Sequence, residues 1–469
     1  MKKIIYTSLL FIFTIFSCDM SMDEINTNPE KPNSVPPKYL ATRIIHSTLS
    51  NSTGKNLAND LWLMKGLANN ELAESYMYNS IGSTSISYTL LTNGLKMVEL
   101  ADVDNSISES SKKSYRALNK FMQAWHFYLT TMDLGDVPCT DALKGETEGL
   151  RKPKYDTQEQ VFATIISLLE EASTLFVQGD VFEGDIVYGG NPKLWEKATN
   201  SFMLRVLINL SKKTTVGSYN VQTKFEEYAK KSIFAGYSDD FQLVYSDKAN
   251  QYYPFNKTHH SYTEVIFLQK FLVDMLKKYN DYRLFYFAQP AKALITAGKQ
   301  EDSFDAYSGV DGTMQHSEVR KETDDGLHCM LNLRYSEDRA CEPIKKLSYA
   351  EIQFILAEAA LKGWSTPSTA EIHYNNAVKA SLEFTSQYTK TEYRHNVDIN
   401  GTYINDYITT YANYATAANK LELIMEQKYI AGFMQMKWNS WFDYRRTGYP
   451  QIPINPATSQ KNLKQIYLK

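Results

Sequence analysis

The sequence predicts an all-α fold assembled from helical hairpins, with one loop-rich lobe inserted among them. Two observations lead to this prediction: apolar residues recur at helical spacing in several segments, and capping signals precede the clearest of these segments. Thr157 and Gln160 have the spacing of a capping box. The apolar residues that follow share one helical face: Val161, Ile165, Leu168, Leu169 and Ala172.

A complete helical hairpin is predicted next to residue 363. Apolar residues lie on one side of a helix over residues 347–362, and Gly363 ends that helix. A short turn over 364–367 follows, and Ser368 and Glu371 have capping-box spacing before the next helix. Two amphipathic helices joined by so short a turn pack antiparallel. Small residues in the first helix let such hairpins pack closely, as in tetratricopeptide repeats.

Further hairpins are predicted from the same kind of spacing. Residues 114–133 pair with 158–175, residues 192–213 pair with 224–234, and residues 417–436 belong to a fourth hairpin. The hairpins recur irregularly and long insertions separate them, so the predicted fold is tetratricopeptide-like and not a regular solenoid.

The stretch from about 239 to 325 differs from the rest of the chain. It is rich in aromatic residues, contains Gly309 and Gly312, and shows helical periodicity mainly over 267–278. We therefore predict a loop-rich lobe inserted into the helical scaffold. The lobe and the hairpins together form one predicted domain, residues 39–469.

The composition excludes several classes of protein. The chain has 469 residues, 50 Lys and Arg against 53 Asp and Glu, and 43% hydrophobic residues. This balance argues against wholesale disorder, a collagen, and a basic protein that binds nucleic acid. The 33 Tyr residues are unusual. Tyrosine suits half-exposed surfaces and contacts with sugars or peptides, but it also simply packs at helix edges.

Residues 1–17 are predicted to be a secretory signal peptide. Lys2 and Lys3 precede an apolar run over residues 4–16, which is too short to span a bilayer. Ser17 and Cys18 follow where the run stops, which resembles the lipobox of bacterial lipoproteins. We predict that Cys18 carries the lipid, although a plain signal peptide with a chance cysteine is the alternative. Residues 18–38, rich in Pro and Asn, are then a lipid-anchored spacer.

The other cysteines do not form a disulfide scaffold. With Cys18 acylated, an odd number remains: Cys139, Cys329 and Cys341. Cys329 and Cys341 are able to pair, but their spacing does not decide whether they do.

No motif in the sequence predicts catalysis. It contains no HExxH, GxSxG or P-loop motif and no Cys/His cluster with zinc spacing, and we predict neither an enzyme nor a metal or cofactor. His259 and His260 are adjacent, so their side chains diverge on a regular element, and an ordinary loop pair is the favoured interpretation.

Several stretches, in order along the chain, resemble the SusD/RagB family of surface lipoproteins, in its SusD-like branch. These are INTNPEKP (25–32), LGDVPCTDALKG (134–145), PKYDTQEQVF (153–162), YAEIQFILAEAALKGW (349–364) and WNSWFDYRRTGYPQIP (438–453). In the last stretch, Arg445 and Arg446 lie beside Trp441 and Tyr444. We interpret this arginine pair as a structural lock and not as a ligand contact, because buried arginine is normally paired.

The resemblance implies a non-catalytic, helical binding protein, lipid-anchored at the outer membrane and facing the cell exterior. It implies a TonB-dependent transporter barrel, SusC-like, as partner and a glycan as ligand. Capture of peptides or other organic nutrients, or a protein scaffold without a small ligand, are the alternatives. The family has no short signature for its ligand residues, so the resemblance assigns none.

The candidate ligand-binding residues are therefore aromatic residues of the loops. Sugars offer CH faces that stack on rings and hydroxyl groups that need fixed polar partners. Asn70 and Asn79 accompany the first candidates. The predicted ligand-binding residues are Tyr76, Tyr78, Tyr88, Tyr252, Tyr253, Phe255 and Tyr307. For each ring, anchoring a long loop is the alternative role.

Overall fold

The computed structural model describes residues 35–78, 85–260, 265–435 and 438–453. The predicted signal peptide, the lipid site Cys18 and nearly all of the spacer lie outside these residues, as does Asn79. Within the described residues the fold is mostly helical, with seventeen α-helices and six short strands, which confirms the predicted fold class.

The helices occur in hairpins and as short pieces between them. They are α1 (Pro37–Leu49), α2 (Asn59–Leu63), α3 (Thr89–Val103), α4 (Glu109–Leu134), α5 (Gln158–Val177), α6 (Pro192–Asn209), α7 (Val221–Tyr228), α8 (Lys270–Lys278), α9 (Arg283–Phe287), α10 (Lys292–Thr296), α11 (His316–Asp324), α12 (Arg334–Glu337), α13 (Tyr349–Leu361), α14 (Ala370–Tyr388), α15 (Gly401–Asp406), α16 (Lys420–Ala431) and α17 (Asn439–Thr447).

The strands form three two-stranded antiparallel pairs. They are β1 (Leu67–Asn69), β2 (Thr215–Val216), β3 (Tyr219–Asn220), β4 (Phe241–Leu243), β5 (Ile266–Leu268) and β6 (Ile344–Leu347). The pairs are β1 with β5, β2 with β3, and β4 with β6. None of them forms a larger sheet, so the helices provide most of the core.

The predicted hairpin of α4 and α5 is present. The hydroxyl of Thr157 accepts a hydrogen bond from the N–H of Gln160 (3.3 Å), and Oε1 of Gln160 accepts from the N–H of Thr157 (2.9 Å), so the capping box is confirmed. The hydropathy and length of α5 would also suit a membrane span, but half of it is buried inside the protein, where it packs against α4 and α6. It is a core helix.

The hairpin of α13 and α14 confirms the second prediction except at its cap. Gly363 follows α13 with φ +84°, a left-handed conformation that ends a helix without steric cost. The cap of α14 is Thr369, whose hydroxyl accepts from the N–H of Ile372 (3.2 Å). Ser368, the predicted cap, lies one residue before it and donates its own N–H to Nε2 of His373 (3.2 Å).

Buried arginines join these hairpins, and the interpretation of Arg446 as a structural lock is confirmed. Its guanidinium is bidentate to Glu358 of α13, with Nη2 2.7 Å from Oε2, and it also donates to Asp443 (2.8 Å). Arg445 donates to the carbonyl oxygen of Met132 at the end of α4 (3.2 Å). Both arginines of the pair are therefore held by the protein's own acceptors.

The region around β5 departs from the helical periodicity predicted for 267–278. Phe267 lies in a strand, and helix α8 begins only at Lys270. The strand forms because Ile266–Leu268 pairs with Leu67–Asn69, a contact far away in sequence that local spacing does not reveal. A small apolar cluster lies beside this pair: Ala68, Met77, Phe267, Val310 and Val319.

The cysteines Cys139, Cys329 and Cys341 are buried free thiols. The pairing of Cys329 with Cys341, which the sequence left open, is therefore absent.

Candidate ligand-binding site

A short 3₁₀-helix, Ser75–Tyr78, brings two of the predicted tyrosines to the same place; we call it the 75–78 turn. Tyr76 is half-buried and meets Trp438 edge to face, with ring centroids 5.5 Å apart and the planes at 62°. Trp438 is also half-buried, and it precedes α17 with a left-handed backbone (φ +67°). We call Tyr76 and Trp438 the aromatic face. Two partly exposed rings at an angle offer a platform for a flat apolar surface.

Local polar contacts hold the chain just before the 75–78 turn. Glu74 forms an ion pair with Lys55 (3.0 Å), which lies in another 3₁₀-helix, Gly54–Ala58. Oδ1 of Asn69 accepts from the N–H groups of Glu71 (2.9 Å) and Leu72 (3.1 Å), as in an Asx-turn. The chain between β1 and the turn is thus held in place by the side chains of Lys55, Asn69 and Glu74.

A cavity of about 680 Å³ lies next to the turn. Tyr78, the last residue of the turn, packs against the small apolar cluster that contains Phe267, and Phe267 lines the cavity. Its polar lining includes Asn70, Gln289, Lys292, Thr323, Asp324 and His328. A cavity of this size with an apolar wall and a few polar groups is typical of small-ligand sites.

Two buried polar atoms, one on the cavity wall and one in the 75–78 turn, lack partners among the described residues. Asn70 is 8% exposed and donates a long hydrogen bond from Nδ2 to Oδ1 of Asp324 (3.4 Å). Oδ1 of Asn70 and the hydroxyl of Tyr78 are buried and have no hydrogen-bond partner among the described residues. Burial also raises the pKa of Tyr78, so its hydroxyl stays neutral. Unsatisfied buried groups are rare and costly, which singles out this wall as a place where a ligand or water supplies the missing bonds.

Other polar groups of the cavity are held by the protein. His328 places Nε2 2.8 Å from Oε2 of Glu322 and Nδ1 3.3 Å from the hydroxyl of Ser308. Oε1 of Gln289 lies 3.0 Å from Nε2 of His395. These contacts fix the orientation of the imidazole and the amide, so the cavity wall is preorganised on this side.

The remaining predicted residues lie elsewhere or inside the core. Tyr88 donates its hydroxyl to the carbonyl oxygen of Pro138 (2.7 Å) and packs its ring edge to face on Phe127. Tyr252 is partly exposed, with the guanidinium of Arg339 4.9 Å from its ring centroid. Both contacts are with the protein itself.

Three of the predicted rings are buried: Tyr253 and Tyr307 are fully buried and Phe255 is 1% exposed. The hydroxyl of Tyr307 donates to the carbonyl oxygen of Glu301 (2.8 Å), so this ring anchors a loop. A ring without an exposed face cannot stack on a sugar, and we therefore leave these three out of the proposed site.

Sequence reasoning missed several residues of the site. The sequence indicates Trp438 only as part of a family-like stretch and Phe267 only as part of a helical pattern. Their positions depend on contacts with Tyr76 and with the 75–78 turn, which no local pattern signals. His260, the nearest approach to a metal ligand in the sequence, has Nε2 2.7 Å from the carbonyl oxygen of Phe255. Within the described part of the chain, no group of three His, Cys, Asp or Glu residues is placed to hold a metal ion.

Comparisons with known proteins give consistent results. A family model described as starch-binding and associating with the outer membrane matches residues 29–468. A SusD homologue from Bacteroides fragilis is 37% identical, with 92% of this chain and 91% of that chain covered and a TM-score of 0.85. A second SusD homologue from the same species is 30% identical, with 91% and 90% covered and a TM-score of 0.80.

A more distant structure shares the fold. It is a chitin-binding SusD homologue from Flavobacterium johnsoniae, 18% identical, with 89% of this chain and 88% of that chain covered and a TM-score of 0.66. A comparison with curated proteins gives no match.

Proposed function

Because the chain belongs to the SusD-like family, whose members are non-catalytic binding proteins associated with the outer membrane, we propose that it captures oligosaccharides or polysaccharides at the cell surface. The captured glycan is then imported through a TonB-dependent transporter barrel, which is the proposed partner. The observation that carries the glycan part is the aromatic face, since the CH surfaces of sugar rings stack on partly exposed aromatic rings.

The aromatic face and the cavity provide different kinds of contact with the ligand. Tyr76 and Trp438 supply apolar surface for sugar rings, while the unpartnered Oδ1 of Asn70 accepts a hydrogen bond from a ligand donor. A glycan provides both kinds of contact, because each sugar carries CH faces and hydroxyl groups. Tyr78 follows Tyr76 in the 75–78 turn and packs against the apolar cluster whose member Phe267 lines the cavity.

The proposed anchor is a lipid on Cys18, with residues 1–17 removed as signal peptide. Residues 18–38 then act as a spacer between the membrane and the domain at 39–469, with the last two spacer residues already in α1. Fully extended, a chain reaches about 3.3–3.6 Å per residue, so a spacer of this kind lets the domain stand well clear of the lipid. Cys18→Ala should release the protein from the membrane fraction, and retention in the absence of the transporter would contradict lipidation.

Affinity electrophoresis in gels that contain soluble starch or another polysaccharide tests glycan capture. Retardation by one polymer would identify the glycan class. Tyr76→Ala should then weaken binding by about tenfold or more, as expected for a central aromatic contact. Tyr155→Ala is the matched control, because Tyr155 is an exposed tyrosine outside the site. Binding that is unchanged in Tyr76→Ala would contradict the aromatic face as the site.

The cavity also favours a second candidate function, capture of peptides. Its lining includes the aliphatic residues Ile295 and Leu333, its phenyl ring, Phe267, is 4% exposed, and Lys292 and Asp324 carry opposite charges. Aliphatic surface with a charge of each sign suits a short peptide better than a sugar. Titration calorimetry with hydrophobic peptides tests this candidate, and heat signals without gel retardation would favour it over glycan capture.

A further inference from the structure

We propose that Lys65 is a positioning residue of the ligand site, which holds the 75–78 turn, and with it Tyr76 of the aromatic face, in place from its buried side. Lys65 is fully buried, and its ammonium donates a hydrogen bond to the carbonyl oxygen of Met77. Met77 lies in the turn between Tyr76 and Tyr78. The proposal rests on the proposed function for its effect on binding, but its structural part stands without a ligand.

Two unfavourable features coincide at Lys65. Its backbone has φ +60°, a left-handed conformation that side chains other than Gly, Asn and Asp rarely adopt. Its ammonium is also removed from water, and this burial lowers the pKa of Lys65 to about 8. A lysine that is both strained and desolvated weakens a fold, and such residues concentrate where function requires them.

What Lys65 holds is a short element with little stability of its own. The 75–78 turn is a four-residue 3₁₀-helix, and so short a helix depends on outside contacts. Met77 is fully buried in the small cluster with Phe267, but the flanking tyrosines are only half-buried. Both Lys65 and Met77 are fully buried, so this hydrogen bond holds the turn from its buried side.

The charge on Lys65 also connects the turn to the lobe. Asp311 is close enough to favour the charged form of Lys65, although burial has the larger effect on its pKa. Asp311 itself accepts hydrogen bonds from the N–H (2.9 Å) and hydroxyl (2.7 Å) of Thr313. Lys65 therefore lies between the turn that carries Tyr76 and a loop of the lobe.

These features predict an unusual combination of effects for Lys65→Met. Methionine keeps most of the side-chain volume and removes the desolvated charge, but it leaves the carbonyl oxygen of Met77 without its donor. These two effects on global stability oppose each other, so the midpoint of global unfolding should shift little. The hydrogen bond to Met77 is lost, so the 75–78 turn should open more often.

Hydrogen–deuterium exchange of the full chain without ligand tests the structural part. In Lys65→Met, the amides of residues 74–78 should exchange about tenfold faster than in the wild type. Lys345→Met is the matched control. Lys345 is 7% exposed, burial lowers its pKa to about 8, and it lies in β6, which pairs with β4 and not with β1, the strand that precedes the turn. The control should leave exchange at 74–78 unchanged.

Gel retardation in soluble starch tests the effect on binding. Affinity should fall about tenfold in Lys65→Met and stay unchanged in Lys345→Met. If wild-type protein is not retarded by starch or any other polysaccharide, glycan capture fails, but the exchange measurement still decides the role of Lys65. Unchanged exchange at 74–78 in Lys65→Met would overturn the proposal. An unfolded Lys65→Met protein would also overturn it, because it would make Lys65 a residue of the general fold.

Discussion

Removing Arg446 should destabilise the fold strongly, because it leaves a buried carboxylate without its cation. Glu358 is fully buried, and both of its carboxylate oxygens accept hydrogen bonds from the guanidinium of Arg446. Asp443, the other acceptor, keeps Lys428 (2.7 Å). Breaking a buried ion pair by removing one partner costs about 3–5 kcal/mol. A typical domain has a free energy of unfolding of about 5–15 kcal/mol, so Arg446→Met should remove a large fraction of it.

The dependence on pH gives this prediction a second test. Although burial raises the pKa of Asp443, Lys428 and Arg446 together hold it below its usual value. A lowered pKa in the folded state stabilises the protein above the unfolded-state pKa of about 3.8 and loses that contribution as the pH falls through the folded value. The wild type should therefore lose more stability than Arg446→Met on acidification below about pH 4.

Urea unfolding followed by circular dichroism at pH 7 and at pH 3.5 measures both effects. Arg446→Met with Glu358→Leu is the control, since it removes both partners and should recover part of the loss. A loss below about 1 kcal/mol for Arg446→Met at pH 7 would refute the reasoning, because it would mean that water or another group replaces Arg446 at the carboxylate.

Three further predictions follow from other residues. Burial lowers the pKa of His373 to about 4, so the unfolded chain binds a proton at a higher pH than the folded protein does. The folded protein should therefore lose stability as the pH falls from about 6.5 to 4. His373→Gln should flatten a plot of melting temperature against pH over that range. Gly309→Ala should lower the free energy of unfolding by about 1–3 kcal/mol, because an added Cβ would lie 2.6 Å from backbone atoms of Lys270. An unchanged midpoint of chemical unfolding would show that the backbone around Gly309 moves to make room for the methyl group. A thiol reagent should not label Cys139, Cys329 or Cys341 until denaturant is added, since burial raises the pKa of each thiol to about 12. Fast labelling of these three cysteines in the native protein would contradict their buried positions.

Helices and their boundaries were largely predictable because their signals are local. The capping box of Thr157 and Gln160 and the stop at Gly363 depend on residues within a few positions of each other. The predicted cap of α14 lies one residue too early, since Ser368 and Thr369 are equally suitable by residue type and only the folded backbone decides whose hydroxyl meets the N–H of Ile372. The strand at Phe267 was missed because its partner, Ala68, is far away in sequence.

The candidate site was predictable only in part. Tyr76, Tyr78 and Asn70 could be selected from their residue types, because aromatic and amide side chains in loops suit a sugar. The same reasoning selected Tyr253 and Tyr307, which are buried in the core. A sequence does not distinguish an aromatic ring that anchors a loop from one that faces solvent, since both carry the same residue and both occur in loops.

By itself, the sequence of this protein determined the helical class, the main hairpins and the structural role of Arg446. Helical periodicity and caps depend on neighbouring residues, and a buried arginine needs a partner because of its residue type alone. The tertiary structure alone decided which rings are exposed, that Tyr76 meets Trp438, and that Lys65 lies behind the 75–78 turn. Exposure and pairing across long separations depend on how all elements pack together, and packing is a property of the whole chain.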